Sequence, residues 1–251
     1  MKSFFLQKNK IYFLLLLSII FLKSTALLAY DSDTVKILNP KQSQIIKEYI
    51  SAIQKFDRLI DYEPNNSEAY AKRALCKDLI GDWKGAIEDY STASKLDPKK
   101  AEGYLLAIGS INNKLGNFSE AVHSYDKAIA LNQKNSAAYF LRGASKQLLR
   151  NYKGAIEDYD KAIELFPQFT QAYSAKGTVL LEEKDLLKAI SDFDKAIKIN
   201  PNYAKAYYGK GLAEERLDRK KDALQDFTKA FELGFPPAGA KLKDLKTDSS
   251  K

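Results

Sequence analysis

From residue 67 to residue 237 the apolar positions keep one schedule, repeated every 34 residues. Five blocks align: 67–100, 102–135, 136–169, 170–203 and 204–237, with Ala101 inserted between the first two. The fourth position is aromatic or leucine: Tyr70, Leu105, Tyr139, Tyr173, Tyr207. The eighth is tiny: Ala74, Gly109, Gly143, Gly177, Gly211. Alanine holds the twentieth (Ala86, Ala121, Ala155, Ala189, Ala223) and the twenty-seventh (Ala93, Ala128, Ala162, Ala196, Ala230). Between them an aromatic holds the twenty-fourth: Tyr90, Tyr125, Tyr159, Phe193, Phe227. Spacings of three and four put each set on one face of a helix. Pro98, Pro167 and Pro201 close three blocks, and Gln133 and Phe235 stand there in the others.

Glycine inside a helix costs about 1 kcal/mol against alanine, so its return at one register needs a compensating contact. Close approach of two helices supplies it. The spacing predicts that the eighth position sits against the alanine at the twentieth, with the aromatics at four and twenty-four filling the surroundings. No single block can bury both faces of its helices, so neighbours must stack.

This pattern resembles the tetratricopeptide repeat family over residues 67–237. The resemblance implies an all-α fold: antiparallel helix pairs stacked into a right-handed superhelical solenoid. It also implies a concave surface lined by the first helix of each repeat. Carried onto this chain, the groove residues are Ala71, Leu75, Leu106, Ser110, Phe140, Leu141, Ala144, Leu148, Ser174, Thr178, Tyr208 and Leu212. One departure lies at the eleventh position, where the family often has tyrosine and this chain has Lys77, Asn112, Lys146, Leu180 and Glu214. Members that hold a peptide's terminal carboxylate use lysines and asparagines in the groove. Positions five and nine carry neither here, so an apolar helix or extended segment is the better expected occupant.

Comparing the blocks with one another adds a contact. The seventh position is cationic in four of them, Arg73, Arg142, Lys176 and Lys210, and the twenty-third is aspartate in the same four, Asp89, Asp158, Asp192 and Asp226. The remaining block loses both at once, to Ile108 and Ser124. Joint loss predicts an ion pair, within a repeat or between adjacent ones.

Outside the blocks, Pro40 falls where a first helix would run, and proline is tolerated only in a helix's first turn. We therefore expect Asn39 as a cap, one helix from about Pro40 to Asp61, and residues 40–66 as an amino-terminal capping half-repeat. Gly234 to Pro237 breaks the last helix of the array. Residues 238–251 should form a short capping helix, Ala238 to Lys246, and a polar tail, Thr247 to Lys251. Residues 1–26 combine Lys2, Lys8 and Lys10, an apolar run from Ile11 to Leu22, and Ser24-Thr25-Ala26, the arrangement of a secretory signal peptide. The competing reading is an uncleaved anchor continuing through Leu27, Leu28 and Ala29 (residues 11–29), with Lys23 snorkelling. Residues 27–39 read as a linker.

Composition narrows the chemistry. The chain has 251 residues, 45% hydrophobic and 29% charged, which excludes general disorder. One cysteine excludes an internal disulfide framework, and one histidine excludes multi-histidine metal sites. The net charge is +8, of which residues 1–26 hold four lysines and no acid. The remainder carries mixed signs along every segment, which is no basis for nucleic-acid binding. His123 reads as surface, Cys76 as a packed thiol and Trp83 as core packing at a helix start. No phosphate loop, metal cluster or nucleophile–base pair is evident. No cofactor or metal is expected. The expected function is a non-catalytic, exported scaffold or adaptor, periplasmic or secreted, that binds a protein or peptide segment in the groove. The alternative is a membrane-anchored assembly factor that keeps its amino-terminal segment; otherwise no membrane contact and no nucleic acid is expected.

Overall fold

The computed structural model describes residues 40–248, and every described element is an α-helix. In chain order these are α1 (Pro40–Tyr62), α2 (Ser67–Ile80), α3 (Trp83–Leu96), α4 (Ala101–Leu115), α5 (Phe118–Leu131), α6 (Ser136–Leu148), α7 (Tyr152–Leu165), α8 (Thr170–Glu182), α9 (Leu186–Ile199), α10 (Ala204–Arg216), α11 (Lys220–Glu232) and α12 (Pro237–Asp248). The fold is all-α, built from helix pairs joined by short turns. The expected cap at Asn39 and the leader, anchor and linker readings lie outside the described residues. The last helix runs through Asp248, so Thr247 and Asp248, expected in the tail, are helical.

The chain forms two compact units, one ending at Tyr104 and the other beginning at Leu105. In the first, α1 packs on α2 and α2 on α3. Ile53 of α1 meets Cys76 and Ile80 of α2, flanked by Tyr49, Ala52 and Phe56. In the second, α6 pairs with α7, α8 with α9 and α10 with α11, and each pair stacks on the next. First helices also touch along the stack, α6 with α8 and α8 with α10. The final helix packs on α11, burying Ala238 and Leu245 against Ala223, Phe227 and Ala230.

The turns follow from their residues. Asn66, Asp82, Asn135 and Asn151 each accept a hydrogen bond from the backbone N–H three residues on, capping α2, α3, α6 and α7. The fifteenth position of every block has positive φ: Gly81 and Gly116 in two, Arg150, Lys184 and Asp218 in three. At the other end of each pair, Asp97, Phe166 and Asn200 precede the prolines and take extended ψ values of 85, 88 and 95°. Asn132 takes the same shape before Gln133, so the proline stabilises a turn that forms without it.

The nearest neighbour of each glycine at the eighth position is an aromatic ring. A Cβ added to Gly109, Gly143, Gly177 or Gly211 would have ring carbons of Tyr125, Tyr159, Phe193 or Phe227 as its nearest neighbours, at 2.5 to 2.9 Å. The eighth position therefore receives the ring at the twenty-fourth. All four rings are fully buried. Phe193 also lies against Gly209 of the following repeat, so one ring keys two helices.

One residue before that contact on each helix lies the expected ion pair. Arg73 holds Asp89 through two hydrogen bonds of 2.8 and 2.6 Å, and Arg142 holds Asp158 at 2.9 and 2.5 Å. Lys176 reaches Asp192 at 3.3 Å and Lys210 reaches Asp226 at 3.9 Å. Each cation also binds a second aspartate, sixteen residues before it: Asp57, Asp126, Asp160 and Asp194, all at 2.7 or 2.8 Å. Each rung thus ties the two helices of a pair to the helix preceding them. Lys77 and Lys146 add a second cation to Asp89 and Asp158, at 2.8 and 2.9 Å.

Two measurements check this architecture. In urea denaturation Gly177→Ala loses about 1–3 kcal/mol, because the ring of Phe193 must move and the gain in helix propensity is smaller; a more stable variant would show that the notch is slack. Asp158→Asn loses about 3 kcal/mol by leaving two cations poorly neutralised in a buried place, whereas Asp126→Asn, at an aspartate 49% exposed, loses under about 1 kcal/mol. Equal losses would mean that burial does not separate the two halves of a rung.

Candidate protein-binding surface

The expected groove residues lie on the first helix of each repeat, and each unit carries its own share. In the first unit, α2 presents Leu75 exposed and Ala71 half-buried. In the second, Leu106 and Ser110 of α4 are half-buried, as are Phe140, Leu141 and Ala144 of α6. Leu148 of α6 is 56% exposed and Thr178 of α8 is exposed. Tyr208 and Leu212 of α10 are half-buried.

Three of these residues do not stand as expected. Ser174 is buried and shares a hydrogen bond with the Tyr203 hydroxyl, so it belongs to the joint between repeats. Phe140 is not a free aromatic: its ring lies 5.8 Å from that of Tyr159 and 4.9 Å from that of Phe169, which continues to Phe166 at 5.7 Å. Tyr208 likewise packs on Phe227 at 5.6 Å and Phe235 at 5.0 Å. The fifth-position aromatics are stacked into the seam that follows each pair, leaving only part of each ring to solvent. Leu212 in turn seals two cores, one around Phe193 and one around Phe227.

Other exposed leucines were not singled out from the sequence. Leu79 of α2 is exposed beside Leu75, one turn away. It occupies the thirteenth position, the same register as Leu148, so that register carried the signal. Leu149 and Leu115 are also exposed, at the fourteenth.

Polar groups at the twelfth position serve the core. Asn113 Nδ2 donates to the Tyr125 hydroxyl at 3.3 Å, and the Tyr159 hydroxyl donates to Gln147 Oε1 at 2.8 Å. Ser145 Oγ donates to Asn113 Oδ1 at 2.9 Å. Burial pushes the Tyr125 hydroxyl up to about 12 and the Tyr159 hydroxyl higher still, so both remain protonated. Where the ring is phenylalanine, at Phe193 and Phe227, the twelfth position is Leu181 or Glu215, and Glu215 instead pairs with Lys241 of α12 at 2.6 Å. A buried hydroxyl and its partner come and go together, as satisfaction of buried polar groups requires.

The titratable groups offer little to a reaction. His123 is exposed on α5. Cys76 is packed beside Ile53 and Ile80, and burial pushes its thiol up, away from reactive thiolate. Trp83 is half-buried at the first residue of α3. Among the described residues no three His, Cys, Asp or Glu side chains stand together as a metal site. What the first-helix faces provide is apolar contact area.

The sequence compares with known families in the same blocks. Models described as "Tetratricopeptide repeat" match residues 136–169, 103–135 and 204–233, and one described as "TPR repeat" matches 177–218. A crystal structure of MamA is 30% identical and superposes with a TM-score of 0.59, covering 65% of this chain and 95% of that one. The chain belongs to the tetratricopeptide repeat family. Two further relatives agree. The C-terminal part of a TPR repeat-containing protein from Cytophaga hutchinsonii is 26% identical, with a TM-score of 0.65 and 80% of each chain covered. The small glutamine-rich tetratricopeptide repeat-containing protein 2 of Mycosarcoma maydis is 32% identical over 103 residues, 41% of this chain. The chain spans 29% of that relative's length. Within the tetratricopeptide repeat frame, the rungs and the ring-in-glycine contact hold the helix pairs of this chain.

Proposed function

We propose that the protein is a non-catalytic scaffold that binds a protein or peptide segment on the first-helix face of residues 105–251, outside the cytoplasm. The observation that carries this reading is the exposure of Leu148 on α6, where burial would be expected of a leucine in a packed helix pair. Leu141 and Ala144 lie half-buried on the same helix, and Thr178 is exposed on α8, whose contact with α6 is direct. Such a strip suits an apolar helix or extended segment laid across stacked first helices. The relatives support a binding role in general terms. The family's repeats are interaction modules, and another relative, 32% identical over 92 residues, is the DnaJ homolog subfamily C member 7 of Mus musculus, of whose length the chain spans 18%.

Export rests on the sequence of residues 1–26. No helix among the described residues is long and apolar enough to cross a membrane.

One preparation tests both parts. Affinity capture uses the chain from residue 27 as bait beside a matched Leu148→Glu, Thr178→Glu bait. Both positions are exposed, so the substitutions leave the melting temperature within about 2 °C. The expected result is a set of partners captured by the first bait and lost with the second. Equal capture by both would refute binding on this face. The mass of the native protein isolated from cells should correspond to a chain lacking about residues 1–26; a full-length mass in the membrane fraction would overturn cleavage and favour the anchored assembly factor.

A further inference from the structure

The four rungs are not equal, and their inequality runs in one direction along the chain. The buried Asp89 and Asp158 each meet an arginine through two hydrogen bonds and a lysine from the eleventh position below 3 Å. Asp192 meets Lys176 at 3.3 Å and Lys195 at 3.7 Å, with Leu180 at the eleventh position. Asp226, 8% exposed, has Lys210 at 3.9 Å as its cation among the described residues, and Lys210 lies closer to Asp194, at 2.8 Å. At the eleventh position, where the first and third blocks place lysine, this repeat has Glu214, itself buried.

We propose that the last repeat is an acid-tightened clasp: Asp226 on α11, buried beside Glu214 of α10 with only the distant Lys210 opposite, takes up a proton in mildly acidic surroundings, and the packing of α11 between α10 and α12 strengthens as it does. Lys210 and Glu214 from α10, Asp194 from α9 and Asp222 from α11 itself act on Asp226, and Lys221 and Lys229 of α11 line the same surface depression as Asp226, Lys229 being drawn to Glu232 at 3.7 Å. Glu214 is held by Arg219 at 3.3 Å, and the α12 cation Lys241 is bound to Glu215 at 2.6 Å. Within 4 Å, Asp226 therefore has Lys210 alone as a cation among the described residues, while Glu214 has its own in Arg219, and the Asp226 side chain keeps only 12% of its surface in water. Burial, with the surrounding acids, pushes the Asp226 carboxyl up to about 6, and Lys210 offsets only part of this. The folded state then binds this proton more tightly than the unfolded chain. Stability from this group is fully present below about pH 4 and is lost as pH rises through about 6.

The test is native-state hydrogen exchange of the full-length protein at pH 5 and pH 7.5, corrected for intrinsic rates. In the wild type, opening of α10, α11 and α12 is expected to be about tenfold greater at the higher pH, with α7 unchanged as internal reference. His123 lies exposed on α5, so a response confined to α10–α12 does not come from it. Asp226→Asn and Glu214→Lys should each reduce the change to under about twofold, the first by removing the titrating group and the second by restoring a neutralising lysine. A wild type whose last three helices open equally at both pH values overturns the proposal, as does Asp226→Asn that keeps the tenfold change. Should Asp226→Asn fail to fold, carbon-13 titration of the Asp226 carboxyl in the wild type decides. A midpoint near 6 supports the clasp and one near 4 overturns it.

Discussion

The seating of the twenty-fourth-position ring in the notch of the eighth sets the distance between the two helices of a repeat, and the other interactions are placed by it. With a Cβ at Gly109, Gly143, Gly177 or Gly211, the helices of those four pairs would have to part or the ring would have to leave its place, whereas the first block keeps the small Ala74 there. The cation at seven and the aspartate at twenty-three lie one residue before the notch and the ring on their respective helices. Once the ring is seated, the two charges arrive within bonding distance without a search of backbone geometry. The rings are uncharged and buried, so they hold the pair together; the rungs specify which helix lies beside which. This division follows the energetics: apolar burial contributes most of the stabilisation, while a buried ion pair adds less net stability than it forfeits when one partner is lost.

Much of this was legible in the sequence because the chain carries several copies of one solution. The repeat length, the all-helical fold and the pairing of seven with twenty-three all came from comparing blocks, with the Ile108 and Ser124 block acting as a natural double substitution. That the ring lies nearest the glycine was not legible, because Ala189 and Phe193, for example, recur at the same period. Periodicity shows that a residue recurs but not which neighbour it touches. The second aspartate of each rung escaped notice for a different reason. Asp57, Asp126, Asp160 and Asp194 are half-exposed or exposed, and their carboxylates read as ordinary solvated helix surface.

The candidate surface was less legible, and for a physical reason. The register of a first-helix residue says that it faces along the stack, but its exposure depends on what the following turn brings over it. Phe169 and Phe235 come from connections after the second helix and cover Phe140 and Tyr208. Ser174 is covered in the same way by Tyr203. Leu148 and Leu79, farther along their helices, receive no such cover and remain exposed.

The same charge code also marks where the array stops. An aspartate stands at the twenty-fifth position of a segment when the next block supplies a cation: Asp57 before Arg73, Asp126 before Arg142, Asp160 before Lys176 and Asp194 before Lys210. Ser91 stands there before Ile108. In the last block the position is Thr228, and the register at which a further cation would fall is Asp244. No rung of this kind can form beyond α11, since a hydroxyl has replaced the carboxylate and an acid the cation. The final helix is held instead by apolar contact through Ala238, Leu242 and Leu245, together with the Lys241–Glu215 bond. A repeat array gains a cap when its last second helix stops offering the charge that recruits another first helix, while keeping the apolar face that any amphipathic helix can cover.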